Sequence, residues 1–328
     1  MRVFINGFGR IGRSVLRAWM GAPERWQGLE IVGINDIAAP EMCAYLFQYD
    51  SVFGPFAGSV ALGDGALRVK DQSIALHRVA DISTLDLTGI DVVMECTGRG
   101  DNLTVAGAGL AAGAARVLVS GPSAAAEVTV VLGANEAALG GQRIVSNASC
   151  TTNALAPLVR LIEAHWGVVT GSMTTIHCYT GSQPTVDAPG ADFARSRAAA
   201  LSMVPTTTSA QRLLDTVLPD LAGRIEGSAV RVPVASVSAV DLAVMTARPC
   251  DAAQINAVLR AAEAQPGSVI GVTDRALVST DLRARPESIV MALPETRVTA
   301  GGMVRVFGWY DNEWGFSNRM LDMARRMG

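Results

Sequence analysis

A short apolar run, Arg2-Val-Phe-Ile-Asn6, leads straight into Gly7-x-Gly9-x-x-Gly12 and then into a segment carrying Ile11, Val15 and Trp19 at helical spacing. A second apolar run, Glu30-Ile-Val-Gly-Ile34, ends at Asn35-Asp36. Few folds accommodate a strand, a glycine turn, a helix and a strand in that order and spacing, and a parallel crossover unit that holds a dinucleotide is the foremost of them. The first two glycines let backbone amides approach a pyrophosphate at the helix N-terminus, and the third lets the helix pack against the sheet. Asp36 at the end of the second strand accepts from a ribose hydroxyl and repels the extra phosphate of NADP, so NAD is the expected cofactor. An aspartate at a strand end is also an ordinary turn residue; its place in this unit is what favours the ribose.

Further apolar runs at Val92-Val-Met94, Val117-Leu-Val119 and Val128-Thr-Val-Val-Leu132 read as strands, with a helix predicted over 104–115. Continuous apolar strands alternating with helices predict a parallel sheet covered on both faces. Beyond residue 150 the strands become alternating, at 168–176, 229–234, 237–244, 288–293 and 303–307, which means one covered face and one wet or shared. Helices are expected over 251–264, capped by Asp251, and over 314–327, where Phe316, Met320, Met323 and Met327 form a core-facing stripe. His77 and His165 are expected to be exposed or capping. The stretch 178–198 has no periodic pattern, and so long a loop inside a compact domain is usually functional.

The segment Ser146-Asn-Ala-Ser-Cys150-Thr-Thr-Asn153 sets a thiol ahead of a helical pattern running through Leu155, Leu158, Ile162 and Trp166 to a stop at Gly167. Ser149 is a natural cap, and the amides and dipole of a helix start stabilise a thiolate. A cysteine there equally suits inert packing as a small hydrophobe. Pro157 removes one helical donor and is expected to bend the first turns. Of the three histidines, His177 ends an alternating strand just before the long loop, where a neutral imidazole within reach of Cys150 would serve as acid or base.

The net charge of −3 supplies no electrostatic footprint for nucleic acid or an acidic membrane surface, so neither is an expected partner. Five cysteines without paired spacing, an N-terminus that opens as a strand and the lack of an apolar run near about 18 residues point to a reducing, cytoplasmic setting. No metal is expected.

The motifs Asn6-Gly-Phe-Gly-Arg-Ile-Gly-Arg13, Tyr49-Asp-Ser-Val52, Glu95-Cys-Thr-Gly98, Ser146 to Asn153, Arg197-Ala-Ala-Ala200, Arg231-Val-Pro233 and Trp309 to Arg319 run almost from end to end of the chain. By them the sequence resembles the phosphorylating glyceraldehyde-3-phosphate dehydrogenases. The resemblance implies an α/β protein: a Rossmann domain with a parallel sheet at 1–149, completed by a C-terminal helix at 313–328, and an α+β catalytic domain of mixed, largely antiparallel sheet at 150–312. It implies Cys150 and His177 as catalytic residues and a phosphorylated aldehyde and inorganic phosphate as reactants. For NAD it implies Gly7, Gly9, Arg10, Ile11 and Gly12 at the pyrophosphate, Asp36 at the ribose, Arg78, Thr97 and Ser120 toward the adenine side, and Asn312 at the nicotinamide carboxamide. Thr180, Ser182 and Arg231 would bind one anion. Ser149, Thr151, Thr208 and Ser209, with Arg195 reaching in, would bind the other. A homotetramer is implied, with 178–198 as an S-shaped loop at the cofactor and subunit contacts.

Three departures stand out: Ala154 in place of a frequent second cysteine, Gly181-Ser182 in place of bulkier or Thr-containing versions, and Ser209 in place of a glycine beside the inorganic phosphate site. Two alternatives follow. Erythrose-4-phosphate dehydrogenase, forming 4-phosphoerythronate, shares the thiol and histidine and suits a weak phosphate site, but Tyr179-Thr180 and Thr206-Thr-Thr208 favour the triose phosphate. A non-catalytic NAD-binding protein would be expected to lack Cys150 or His177.

Overall fold

A computed structural model describes residues 1–328, which divide into two compact units. The first comprises Met1–Val130, Glu136–Ala148 and Phe316–Gly328; the second comprises Val131–Asn135 and Ser149–Gly315.

The first unit carries strands β1 (Arg2–Asn6), β2 (Glu30–Asn35), β3 (Val60–Gly63), β4 (Ala66–Val69), β5 (Gln72–His77), β6 (Val92–Glu95), β7 (Arg116–Val119), β8 (Val128–Thr129) and β9 (Ile144–Ser146). Its helices are α1 (Arg10–Gly21), α2 (Pro40–Gln48) and α3 (Leu103–Ala111). The nine strands form one sheet in the order β3-β4-β5-β2-β1-β6-β7-β9-β8. From β5 to β8 every pairing is parallel, as the continuous apolar runs predicted. Val3, Ile5, Ile34, Val93, Met94 and Leu118 are all completely buried, which places the core on both faces of this sheet.

Four expectations are corrected. The sheet has an antiparallel edge, β3 and β4, that the sequence reading left out. Asp64 and Gly65 join these strands, both at positive φ, the backbone a tight two-residue hairpin requires. The strand read over 128–132 stops at Thr129: Val130, Val131 and Leu132 are buried, but in irregular chain. The helix read over 104–115 ends at Ala111. His77, expected at the surface, is half-buried against the ring of Phe4, and burial lowers its pKa.

The second unit runs through α4 (Cys150–Trp166), β10 (Val168–Cys178), β11 (Val204–Thr206), α5 (Ala210–Val217), β12 (Ile225–Val232), β13 (Ser238–Thr246), α6 (Ala252–Glu263), β14 (Ile270–Thr273), β15 (Ile289–Ala292), β16 (Arg297–Val298) and β17 (Met303–Tyr310). Its sheet has the order β11-β12-β10-β13-β17-β15-β14, with β16 beside β17. The pairs β10–β12 and β14–β15 are parallel and the others antiparallel, so the sheet is mixed. Helix α4 buries Leu155, Leu158, Val159 and Ile162. It continues unbroken through Pro157 and stops at Gly167, whose φ of 71° suits a residue without a Cβ. Asp251 caps α6 in a capping box with Gln254. The last helix, α7 (Trp314–Met327), buries Phe316, Met320, Met323 and Met327, so the methionine stripe is core packing. No helix is long and apolar enough to cross a membrane.

Candidate active site and dinucleotide cradle

Ser149 caps α4: its Oγ accepts from the amide of Thr152 at 3.1 Å, while the Asn153 side chain donates to the Ser149 carbonyl at 3.0 Å. This fixes Cys150 as the first helical residue, partly exposed, with its thiol beside the end of β10. There Sγ of Cys150 lies 3.7 Å from Nε2 of His177, within reach of a sulfur hydrogen bond. The parallel register of β10 and β12 sets Arg231 directly beside His177. Its Nη1 is 2.8 Å from His177 Nδ1 and donates to the Cys178 carbonyl at 3.0 Å.

Burial pushes the Cys150 thiol above its ordinary pKa, opposed by the Thr151 side chain and amide and by the charge of Arg231. His177 is lowered to about 4, first by burial and then by Arg231. Both shifts favour a neutral thiol beside a neutral imidazole. At the start of α4, with Arg231 alongside, the stabilisation expected for a thiolate works against this burial, and the imidazole stands where it would serve as base for a proton released on attack.

Thr180 and Ser182 come together, with 3.0 Å between their hydroxyl oxygens. Thr151, expected among the anion ligands, is buried, and its hydroxyl bonds Tyr310 Oη at 2.9 Å, which also bonds Thr175 at 2.8 Å. Its side chain therefore supports the Cys150 turn and offers no open hydroxyl. Ser149 Oγ is shared with Thr152 Oγ1 at 2.7 Å. Thr208 Oγ1 accepts from the Ala210 amide at 3.1 Å, whereas the exposed Ser209 occupies the N-cap position of α5 without making a side-chain cap bond. Arg195 donates to the Thr206 hydroxyl at 2.6 Å and the Thr207 carbonyl at 3.2 Å. Tyr310 and Thr175 escaped the sequence reading, although Tyr310 lies inside one of the quoted motifs.

Asn312 follows β17 and is held by Asp311, whose carboxylate accepts from the amides of Ala284, Glu313 and Trp314 at 2.8, 3.1 and 2.8 Å. Its Oδ1 accepts from Cys178 Sγ at 3.2 Å and from Ser238 Oγ at 3.3 Å.

In the first unit the three glycines have separate reasons. A Cβ on Gly7 (φ +95°) would lie 2.6 Å from backbone atoms of Cys96 and Thr97, and one on Gly12 would lie 2.2 Å from the Gly7 carbonyl oxygen. Both are demanded by packing. Gly9 has nothing within 4 Å and stands at the start of α1 without a side-chain cap, so its open space at a helix N-terminus fits an approaching phosphate. Asp36 accepts from the amides of Phe8 at 2.7 Å and Ala38 at 2.9 Å. Gly7, Gly9, Asp36 and Thr97 line a cavity of about 440 Å³, joined by Ile37 and Arg99, which the sequence reading did not single out. Arg10, Ile11, Gly12, Arg78 and Ser120 lie outside its lining. Arg10 pairs with Asp50, Arg78 donates to the Ile37 carbonyl at 3.1 Å, and the Ser120 amide donates to the Glu95 carbonyl at 2.9 Å. Beneath the cavity, buried Glu95 accepts from Asn6 at 2.5 Å and from both the amide and hydroxyl of Thr97. The cradle thus fits a dinucleotide.

The sequence profile for the glyceraldehyde 3-phosphate dehydrogenase NAD binding domain matches residues 1–102, and that for the C-terminal domain of the same family matches 149–312. Among relatives, a glyceraldehyde-3-phosphate dehydrogenase of Xanthobacter flavus is 45% identical over 333 residues, spanning 100% of this chain and 98% of its own. Another from Cereibacter sphaeroides is 46% identical across 100% of this chain and 98% of its own, and one from Pseudomonas aeruginosa is 47% identical across 99% and 97%. Over its whole length, therefore, the chain belongs to the glyceraldehyde-3-phosphate dehydrogenase family of NAD-dependent oxidoreductases.

Proposed function

We propose that the chain catalyses the oxidative phosphorylation of D-glyceraldehyde 3-phosphate to 1,3-bisphosphoglycerate. The observation that carries this reading is the 3.7 Å approach of Cys150 Sγ to His177 Nε2, with Arg231 alongside, in a chain of this family. Cys150 adds to the aldehyde carbon; a C–S bond forms, the carbonyl π bond breaks, and the thiol proton passes through His177 to the oxygen, giving a hemithioacetal. The Cys150 amide at the start of α4 and His177 stabilise charge on that oxygen. His177 then takes the hydroxyl proton as the carbon loses hydride, leaving an acyl thioester on Cys150. An oxygen of inorganic phosphate attacks the thioester carbon, and the C–S bond breaks to release the acyl phosphate and the thiolate. NAD, when bound, supplies the hydride acceptor.

Gly9 and the amides at the start of α1 would hold the pyrophosphate, assisted by Arg10 and Ile11. Asp36 would take the ribose, Thr97 and Arg78 the adenine side, and Asn312 the carboxamide. Thr180, Ser182 and Arg231 would bind the substrate phosphate. Ser149, Thr208, Ser209 and Arg195 would bind the attacking phosphate, for which Arg195 must exchange its present hydroxyl and carbonyl partners.

We further infer a homotetramer. Val186, Phe193, Leu201 and Met203 are 70%, 94%, 85% and 73% exposed along the segment between β10 and β11, which supports cover by another copy.

The test assays purified protein for NADH formation with the triose phosphate, with and without phosphate. Phosphate-dependent turnover is expected. Faster, phosphate-independent turnover of erythrose 4-phosphate would replace this reading with the tetrose phosphate enzyme.

A further inference from the structure

Asn312 is tied down from one side only. Both hydrogen bonds of its amide fall on Oδ1, from Cys178 Sγ and Ser238 Oγ. Ser238 Oγ already accepts the amide N–H of Cys178 at 3.1 Å, which leaves its own hydrogen to donate. A thiol likewise brings a hydrogen, and burial at 1% exposure, which pushes Cys178 up to about 12, keeps it protonated. Two donors therefore converge on one amide oxygen. Turning the amide over would point its N–H groups at groups that are themselves presenting hydrogens. The backbone on either side is fixed as well, by the three amides gathered on Asp311 and by the pairing of Tyr310 with Ser238.

We propose that Cys178 and Ser238 are positioning residues that set the polarity of the Asn312 amide, so that it offers Nδ2–H to the carbonyl oxygen of the cofactor's carboxamide. This rests on the reading above in which Asn312 meets that carboxamide. Cys178 immediately follows His177 on β10, so the strand that aims the base also orients the cofactor contact.

The test measures dissociation constants for NAD, for 3-acetylpyridine adenine dinucleotide, which keeps the carbonyl oxygen but lacks the carboxamide NH2, and for ADP-ribose, which lacks the ring altogether. The wild-type protein is expected to bind the first two within about threefold of each other. The Cys178→Ala/Ser238→Ala variant is expected to weaken both about five- to tenfold while ADP-ribose binding is unchanged, and Cys178→Ser, which keeps a donor, is expected to stay near wild type. Unchanged ADP-ribose binding also reports that the variant is folded; if the double variant does not fold, Ser238→Ala alone carries the same prediction at about threefold. Loss of the acetylpyridine analogue by tenfold or more in the wild type, or an unchanged ratio of NAD to ADP-ribose affinity in the alanine variants, overturns the proposal. An Asn312→Ala variant with that ratio unchanged would overturn the underlying assignment of Asn312 instead.

Discussion

Nδ1 of His177 stands 2.7 Å from the carbonyl oxygen of Cys178, and a carbonyl can only accept. Nδ1 therefore carries the hydrogen and the neutral imidazole turns its bare Nε2 toward Cys150, while Arg231 Nη1, 2.8 Å from Nδ1, donates to the same carbonyl and sets its charge beside the ring. His177 is thereby held at about 4, with burial the larger cause and the charge of Arg231 the second. Because this is below the ordinary value of about 6.5, the unfolded chain binds the proton first, and the contribution of neutral His177 to stability is lost as pH falls from about 6.5 toward about 4. Replacing Arg231 with Met is expected to raise the pKa and narrow that window. An NMR titration of labelled histidine, assigned with His177→Asn, measures it; a pKa that stays put would contradict the coupling.

A neutral thiol beside a neutral base makes Cys150 reactivity depend on pH rather than saturate near neutrality. Alkylation by iodoacetamide should still climb as pH rises past 8, because burial holds the thiol above its ordinary value. Cys43, Cys96 and Cys178, raised to about 11, 12 and 12 by burial, should lag far behind. Substituting His177→Asn should lower turnover by about 10²- to 10⁴-fold, the usual loss when a positioned base is removed. Peptide mapping of the alkylated sites at several pH values provides the check, and preferential modification of Cys178 would be incompatible with it.

The glycines of the cradle should separate under substitution. Gly7→Ala places a Cβ against the Cys96–Thr97 backbone at a φ that disfavours side chains, so the expected result is a lower melting temperature or failure to fold. Gly9→Ala meets nothing within 4 Å, so the melting temperature should hold while NAD affinity falls. Calorimetric melts paired with NAD titrations distinguish them; equal losses of stability would remove Gly9 from the phosphate contact.

What could be read in advance follows from how locally each feature is encoded. The crossover unit, the Ser149 cap and the Gly167 stop depend on neighbouring residues and stand as expected. The β3–β4 hairpin was missed even though Asp64-Gly65 is a strong turn signal, because its strands are four residues each and hold a single β-branched side chain apiece, Val60 and Val69, too little to mark a strand. Val130 to Leu132 misled in the opposite way: an apolar run reports burial, and here the chain is buried without being extended. Cys150 and His177 were legible by type and position. Their approach, and the placing of Arg231 beside His177, depend on the register of β10 against β12, which no local pattern encodes. The inward turn of Thr151 toward Tyr310 joins residues 159 apart in the chain.

That buried hydroxyl chain can be tested by Tyr310→Phe. The ring still fills its space, but Thr151 and Thr175 each lose a buried partner. A loss of about 1–3 kcal/mol in denaturant unfolding is expected for each hydroxyl left unpaired. Since Thr151 is the residue after Cys150 on α4, turnover should fall along with stability. Unchanged stability would mean that the two threonines find other partners at no cost.

The exposed apolar side chains between β10 and β11 bear on assembly. Phe193 is 94% and Leu201 85% exposed in the single chain, with Val186 and Met203 on the same irregular segment. Leaving side chains of this size in water forgoes about 1.5–3 kcal/mol each, relative to full burial. A second copy covering them would recover part of this at every repeated contact, so the wild type should sediment as a tetramer. Phe193→Asp puts a charge where an apolar surface would have to dock, and is expected to shift the species toward smaller assemblies with little change in the unfolding of the isolated chain. Analytical ultracentrifugation over a dilution series decides it: a variant that sediments like the wild type at every concentration would place Phe193 outside the subunit contact.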